Sequence, residues 1–258
     1  MRVTILGCGV SSGVPRAGGK GGAEWGAANP QDSRNRRRRC SILVQDKGKT
    51  VLIDTSPDLR EQMIDARVER VDAVIWSHDH ADQLHGLDDL RPYARRQGPI
   101  EAWADARTYS IVQRRFGYCF EAEGDGLYDP IYRPKLIEGP FSAAGIPVVP
   151  IPQSHGFIPS LGFRFGRIAY TNDVVALPEE AFRLLDGVEV MIVDAMRYQP
   201  HPTHAHLDLA LKWIERVAPS RAFLTNLHID MDYAELDRRT PDHVRPCHDG
   251  LVIDVEGE

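Results

Sequence analysis

Residues able to bind metal stand just beyond the ends of several separate apolar runs in this chain. His78, His80 and Asp82 follow the run 71–76; His155 follows 146–151; Asp173 follows 167–170; Asn226 and His228 follow 222–224. Runs this short and this apolar read as buried β-strands. Histidines scattered at random would not track strand ends, whereas side chains at one edge of a sheet can converge on one point. The densest group, residues 77–86, holds His78, His80, His85, Asp79 and Asp82. Imidazole and carboxylate are the ligands that zinc, manganese and iron take.

Around these runs strand and helix alternate. Strands are predicted at 3–7, 41–45, 50–54, 71–76, 100–103, 146–151, 161–165, 167–170, 188–193, 222–224 and 251–255. Helices are predicted from Pro57, with Ser56 as N-cap, and at 87–96, 106–116, 178–185 and 207–217. Leu207, Leu211 and Ile214 mark one face of the last. Residues 18–26 read as a glycine-rich mobile loop, and 121–145 as loop with short strands. Hairpin turns at Lys47-Gly48 and Gly166 interrupt the alternation, which implies mixed sheets with helices outside them. No repeat or linker breaks the chain, so one domain over residues 1–258 is expected.

A formal net charge of −6 gives no global signal for nucleic acid or membrane. Cys8, Cys40, Cys119 and Cys247 are scattered without a Cys-x-x-Cys pair, against a disulfide framework or a cysteine zinc site. The chain opens on a strand rather than a signal peptide, and no apolar run nears the ~18 residues of a membrane span. A reduced, cytoplasmic enzyme is the expectation.

His-x-His-x-Asp after a strand, followed in order by His155, Asp173 and a late histidine, resembles the metallo-β-lactamase superfamily over nearly the whole chain. Gly7-Cys8-Gly9, Ser11, Gly13-Val14-Pro15, residues 36–41, Gly86-Leu87-Asp88-Asp89-Leu90-Arg91, His201-Pro202-Thr203-His204 and Leu224-Thr225 are similar to its phosphoribosyl cyclic phosphodiesterase branch. The resemblance implies an α/β fold, a four-layer αββα sandwich of two mixed β-sheets flanked by helices, with two divalent ions (Zn or Mn) at one sheet edge. It implies His78, His80 and His155 as ligands of the first ion, Asp173 as the bridge and Asp82 on the second. It also implies His204 as general acid. Two departures stand out: Gln83 and Asn226 replace histidines of the family pattern, each with another histidine two positions on. On an extended segment that step keeps the same face, so His228 could serve the second ion, and His85 could be ligand or substrate contact. An amide oxygen in place of imidazole makes the second site harder and weaker.

Water between two such ions loses proton affinity and becomes a usable nucleophile, while the ions absorb charge on a phosphoryl group. Asp54 and Asp194 are candidates to orient ligand histidines, with strand-end capping as the competing role. His206 rivals His204, although its place before Leu207 also suits a helix cap. In the run Arg36-Arg37-Arg38-Arg39, alternation would turn only every other arginine inward; Arg36 and Arg38 are the candidates to bind a substrate phosphate, a solvated face being the plainer reading. Trp25 could stack on a base or cover the sheet. The expected function is a metal-dependent phosphodiesterase acting on a small cyclic phosphodiester or nucleotide-type substrate. Alternatives are a thioester or lactone hydrolase, a tRNA-processing nuclease (disfavoured by the negative charge), and a feeble nucleotide- or metal-binding protein with a decayed second site. The expected partner is a small-molecule phosphate ester, with a homodimer allowed.

Overall fold

The computed structural model describes residues 1–121 and 129–255; residues 122–128, part of the predicted 121–145 loop, lie outside them. Along the chain come β1 (Arg2–Gly7), β2 (Arg16–Ala17), β3 (Ala23–Glu24), β4 (Ser41–Asp46), β5 (Lys49–Ile53), α1 (Leu59–Asp65), β6 (Ala73–Ile75), α2 (Ala81–Leu84), α3 (Arg91–Gln97), β7 (Ile100–Ala104), α4 (Ala106–Phe116) and β8 (Tyr132–Leu136). They are followed by β9 (Phe141–Ala143), β10 (Ile146–His155), β11 (Ile158–Phe165), β12 (Ile168–Thr171), α5 (Glu179–Leu184), β13 (Val190–Asp194), α6 (Leu207–Val217), β14 (Arg221–Thr225), α7 (Tyr233–Arg239), β15 (Val244–Pro246) and β16 (Val252–Asp254).

Internal contacts divide the chain into two compact units. One comprises Met1–Leu6, Ser41–Val148 and the segment from Val252 on; the other comprises Gly7–Cys40 and Val149–Leu251. In the first, a seven-stranded sheet runs β16-β1-β4-β5-β6-β7-β8. The β4–β5 pair is antiparallel, and β5 to β8 are parallel. Its core gathers Leu43, Leu52, Val74 and Trp76 from the strands with Leu59, Met63, Leu87, Leu90 and Val112 from the helical segments. These are the inward residues that the apolar runs and helical periodicity place on one side.

The second sheet runs β15-β14-β13-β12-β11-β10-β9. β10, β11 and β12 are antiparallel neighbours, and β12 to β15 are parallel. Its core packs Met191, Val193, Ala222 and Leu224 with Ala181, Leu207, Ala210, Trp213 and Ile214. Parallel strands discharge their carboxyl ends at one edge, where open α/β sheets place their ligands. β10, two antiparallel steps from β12, points the same way. His155, Asp173, Asp194 and Asn226 thus emerge at one edge.

The predicted elements at 106–116 and 207–217 coincide with α4 and α6. The helix expected from Pro57 starts at Leu59, because Ser56 Oγ accepts from Asp58 N (3.1 Å) and holds a turn before it. Within the glycine-rich stretch 18–26 a short 3-10 turn, Lys20–Gly22, leads back into β3, which pairs antiparallel with β2 and is tied to it by Arg16 to Glu24. Trp25 packs on Val14, Ala28 and Ile229. All four cysteines are buried and free. Among the described residues no helix is long and apolar enough to cross a membrane.

Candidate metal centre

In the first unit Ile53 pairs with Ile75 across parallel β5 and β6, so Asp54 and residues 76–78 leave the sheet together. Asp54 takes a left-handed conformation (φ 62°) and is fully buried. Its carboxylate accepts from Ser77 N (2.8 Å) and Ser77 Oγ (2.9 Å). Burial pushes the Asp54 carboxyl up to about 7, against these Ser77 bonds, which pull it down. The Ser77 hydroxyl, having given its hydrogen to Asp54, can accept from His78 Nδ1 at 3.0 Å. That chain fixes the ring and leaves Nε2 as the nitrogen a metal would take, the way carboxylates commonly orient metal-binding histidines.

His80 is exposed at the start of α2, its ring 4.7 Å from that of His78. Asp79, between them, pairs with the Arg107 side chain, and its carbonyl accepts from Arg115 (3.2 Å). Asp82 lies in the first turn of α2, 3.4 Å from the Gln83 amide; Gln83 is buried. His85, exposed at the helix end, sets its ring edge-on to Phe116 at 5.6 Å. Gly86 has to be glycine: a Cβ there would stand 1.9 Å from the Ser56 carbonyl oxygen.

In the second unit the edge residues meet. His155 Nδ1 donates to Thr203 O (2.8 Å) and its Nε2 lies 3.9 Å from Asp173 Oδ1. His204 Nδ1 lies 2.8 Å from Asp194 Oδ2 and 3.7 Å from Asp173 Oδ1. Ligand atoms of His155, Asp173 and His204 all lie within 4.8 Å of one another. Asn226 Nδ2 reaches Asp173 Oδ1 (3.5 Å) and His204 Nδ1 (3.2 Å). Asp194, fully buried, also accepts from Val174 N (3.2 Å). Burial pushes its carboxyl up, His204 and the backbone donor pulling the other way. Two nitrogens and a carboxylate, with tautomers pinned by Thr203 and Asp194, suit a divalent ion.

The remaining candidates lie in the same unit. β14 ends at Thr225 and Asn226 is left-handed (φ 61°), so the two-residue pleat step does not extend to His228. His228 instead pairs with Asp230 (2.9 Å), and burial lowers its pKa. In the arginine run the inward side chain is Arg37, in the opposite phase to Arg36 and Arg38. Arg36 is exposed above Trp25, 5.1 Å from ring centre, and Arg38 N donates to Asp249 (2.8 Å). Arg37, 1% exposed, donates to Asn35 Oδ1 (2.8 Å), Met231 O (2.7 Å) and His228 O (3.3 Å). Arg37→Met should cost about 2–4 kcal/mol by stranding these acceptors, read as a lower urea midpoint. His206 is the N-cap residue of α6, without a side-chain cap bond. Ser77 and Thr203 escaped sequence reasoning as orienting groups. Ser77 stands at a strand end beside a ligand candidate, which was the available signal; Thr203 acts through its backbone, which leaves none.

A family profile described as a beta-lactamase superfamily domain matches residues 49–229. A diphosphatase of the PhnP family shares the fold with a TM-score of 0.90 and 32% identity, covering 99% of this chain and 98% of that one. Zinc-bound PqqB from Methylobacterium extorquens shares it with a TM-score of 0.74 at 18% identity, over 99% of this chain and all of that one. An octanoyltransferase of Porphyromonas gingivalis (strain ATCC BAA-308 / W83) is 30% identical over 267 residues, matching the whole of this chain. The chain spans about half of that protein's length, 52%. The expected fold class, two mixed sheets flanked by helices, is the one these solved structures share. With a profile spanning residues 49–229 and a fold matched nearly end to end, this chain belongs to the metallo-β-lactamase superfamily.

Proposed function

We propose that this protein is a metal-dependent hydrolase of the phosphodiesterase type, acting on a small cyclic phosphodiester or a nucleotide-type diphosphate. The observation that carries this reading is the grouping of His155, Asp173, His204 and Asp194 at one sheet edge. His78 and His80 of the first unit would supply imidazole ligands to a divalent ion, zinc or manganese, and His155 and Asp173 of the second unit would supply an imidazole and a carboxylate. Asp82, beside the amide of Gln83, would offer a further carboxylate ligand in the first unit, and Asn226 a harder, weaker amide position in the second. Bound there, such ions would lower the proton affinity of water and polarise a phosphoryl oxygen.

The chain's own residues do the rest. Asp194 accepts from His204 Nδ1 and so turns Nε2 outward, where it gives a proton to the departing oxygen. Thr203 and Ser77 hold His155 and His78 in the ligand tautomer. Arg36 and Arg38 bind the substrate's phosphate charge, with His85 as a further contact. The likeness to a PhnP-family diphosphatase over nearly the full length supports phosphate chemistry. An octanoyltransferase relative keeps acyl transfer in view, so the test is a panel: bis(p-nitrophenyl) phosphate, a cyclic phosphodiester, a thioester and a lactone, each with manganese and with zinc. Phosphate esters turned over and acyl substrates left intact would support the proposal; the reverse would overturn it.

Asn226 favours a second reading, a feeble binding protein with one working ion, because its amide fills the space beside Asp173 and His204. Asn226→His should raise zinc bound at equilibrium dialysis from about one ion per chain toward two, since imidazole outbids an amide for zinc. Gln83→His should act in the same direction. No change in bound zinc would count against a second site at this edge.

A further inference from the structure

Among the described residues Phe157 is 90% exposed, far beyond the next large hydrophobic residue, Ile64 at 55%. It stands on a two-residue turn between β10 and β11, where His155 pairs with Ile158. The turn is firmly seated. Gly156 is left-handed (φ 74°), and a Cβ on it would lie 2.7 Å from Thr203 Cγ2 and 2.9 Å from Pro202 O. On the other side of Gly156, His155 is anchored to Thr203 O. The ring is therefore held out by a turn clamped against residues 202–203. It lies two residues from a metal-ligand candidate, at most ~7 Å of backbone. The same loop carries His201, its ring 5.3 Å from that of His204.

We propose that Phe157 determines specificity: the base of a nucleotide-type substrate stacks on its ring while the phosphate is held beside His155. This rests on the phosphate-ester reading above. A protruding flat ring suits a flat ligand and tolerates any base, because every base has a π-face. An acyl chain would need an enclosed apolar cleft, which a lone ring on a turn does not supply. A second copy of the chain is a poorer occupant. One phenylalanine buries ~150–250 Å², against the ~1,200 Å² or more of a stable interface.

The test compares wild type, Phe157→Ala and Phe157→Trp on ADP-ribose and on a base-free ribosyl cyclic phosphate. Binding of AMP to each protein is measured by calorimetry. Phe157→Ala should lose about tenfold in kcat/KM on the base-bearing substrate, mostly through KM, the size of one lost base stack. It should be unchanged on the base-free one and bind AMP about tenfold more weakly. Phe157→Trp should keep both. Equal losses on the two substrates, no loss at all, or a change in sedimentation from dimer to monomer would overturn the proposal. If wild type hydrolyses neither phosphate ester, the phosphodiesterase reading fails, while the AMP titration still decides the role of Phe157.

Discussion

His78→Ala is expected to reduce turnover to background and to lower the bound metal measured by elemental analysis. His78 is fully buried, and its imidazole is the end of a chain running from Asp54 through Ser77. Truncation removes the proposed ligand nitrogen and leaves the two groups that orient it with nothing to orient. Ser77→Ala makes the complementary case. The nitrogen stays but its tautomer is no longer held, so metal affinity should fall by roughly 10–100-fold without vanishing. Full metal content in His78→Ala would remove His78 from the ligand set; an unaffected Ser77→Ala would leave Asp54 with a purely structural role.

The second large effect is expected at the Asp194–His204 pair. Asp194→Asn or His204→Ala should lower kcat by about 10²–10⁴-fold while metal content stays at the wild-type level. The loss should depend on the leaving group. A p-nitrophenolate departs with little protonation, so bis(p-nitrophenyl) phosphate should lose least, and an alkyl diester with a poor leaving group should lose most. That gradient separates a proton donor from a metal ligand. If His204 serves the ion instead, as its position within 4.8 Å of the His155 and Asp173 ligand atoms would also permit, both substrates should suffer alike and metal should be lost.

Much of this centre was legible in the chain because strand ends are legible. The apolar runs at 71–76, 188–193 and 222–224 each finish next to a polar residue, and parallel pairing sends those finishes to one edge per sheet. The gathering of Asp173, His204 and Asn226 needed more. His204 follows no strand directly, and it is the backbone bond of Ala205 N to Val174 O (2.6 Å) that brings its segment back to the sheet edge. Local pattern says nothing about such a return. The phase of the arginine run was equally hidden. Periodicity tells that alternate residues face alike, but only the bridge of Arg37 to Val14 shows which set is inside. The helix α7 and strand β15 were also missed, being short and polar enough that tertiary contacts, not pattern, determine them.

The left-handed backbone at Asn226 has a consequence for how this position can vary. Asparagine, aspartate and histidine are the non-glycine residues that visit that conformation most readily. An amide can therefore give way to an imidazole, or the reverse, without any bend in the main chain, whereas a β-branched replacement would be resisted by the backbone before any chemistry was at stake. Metal demand at this corner can be dialled up or down by one codon change on a scaffold that stays still.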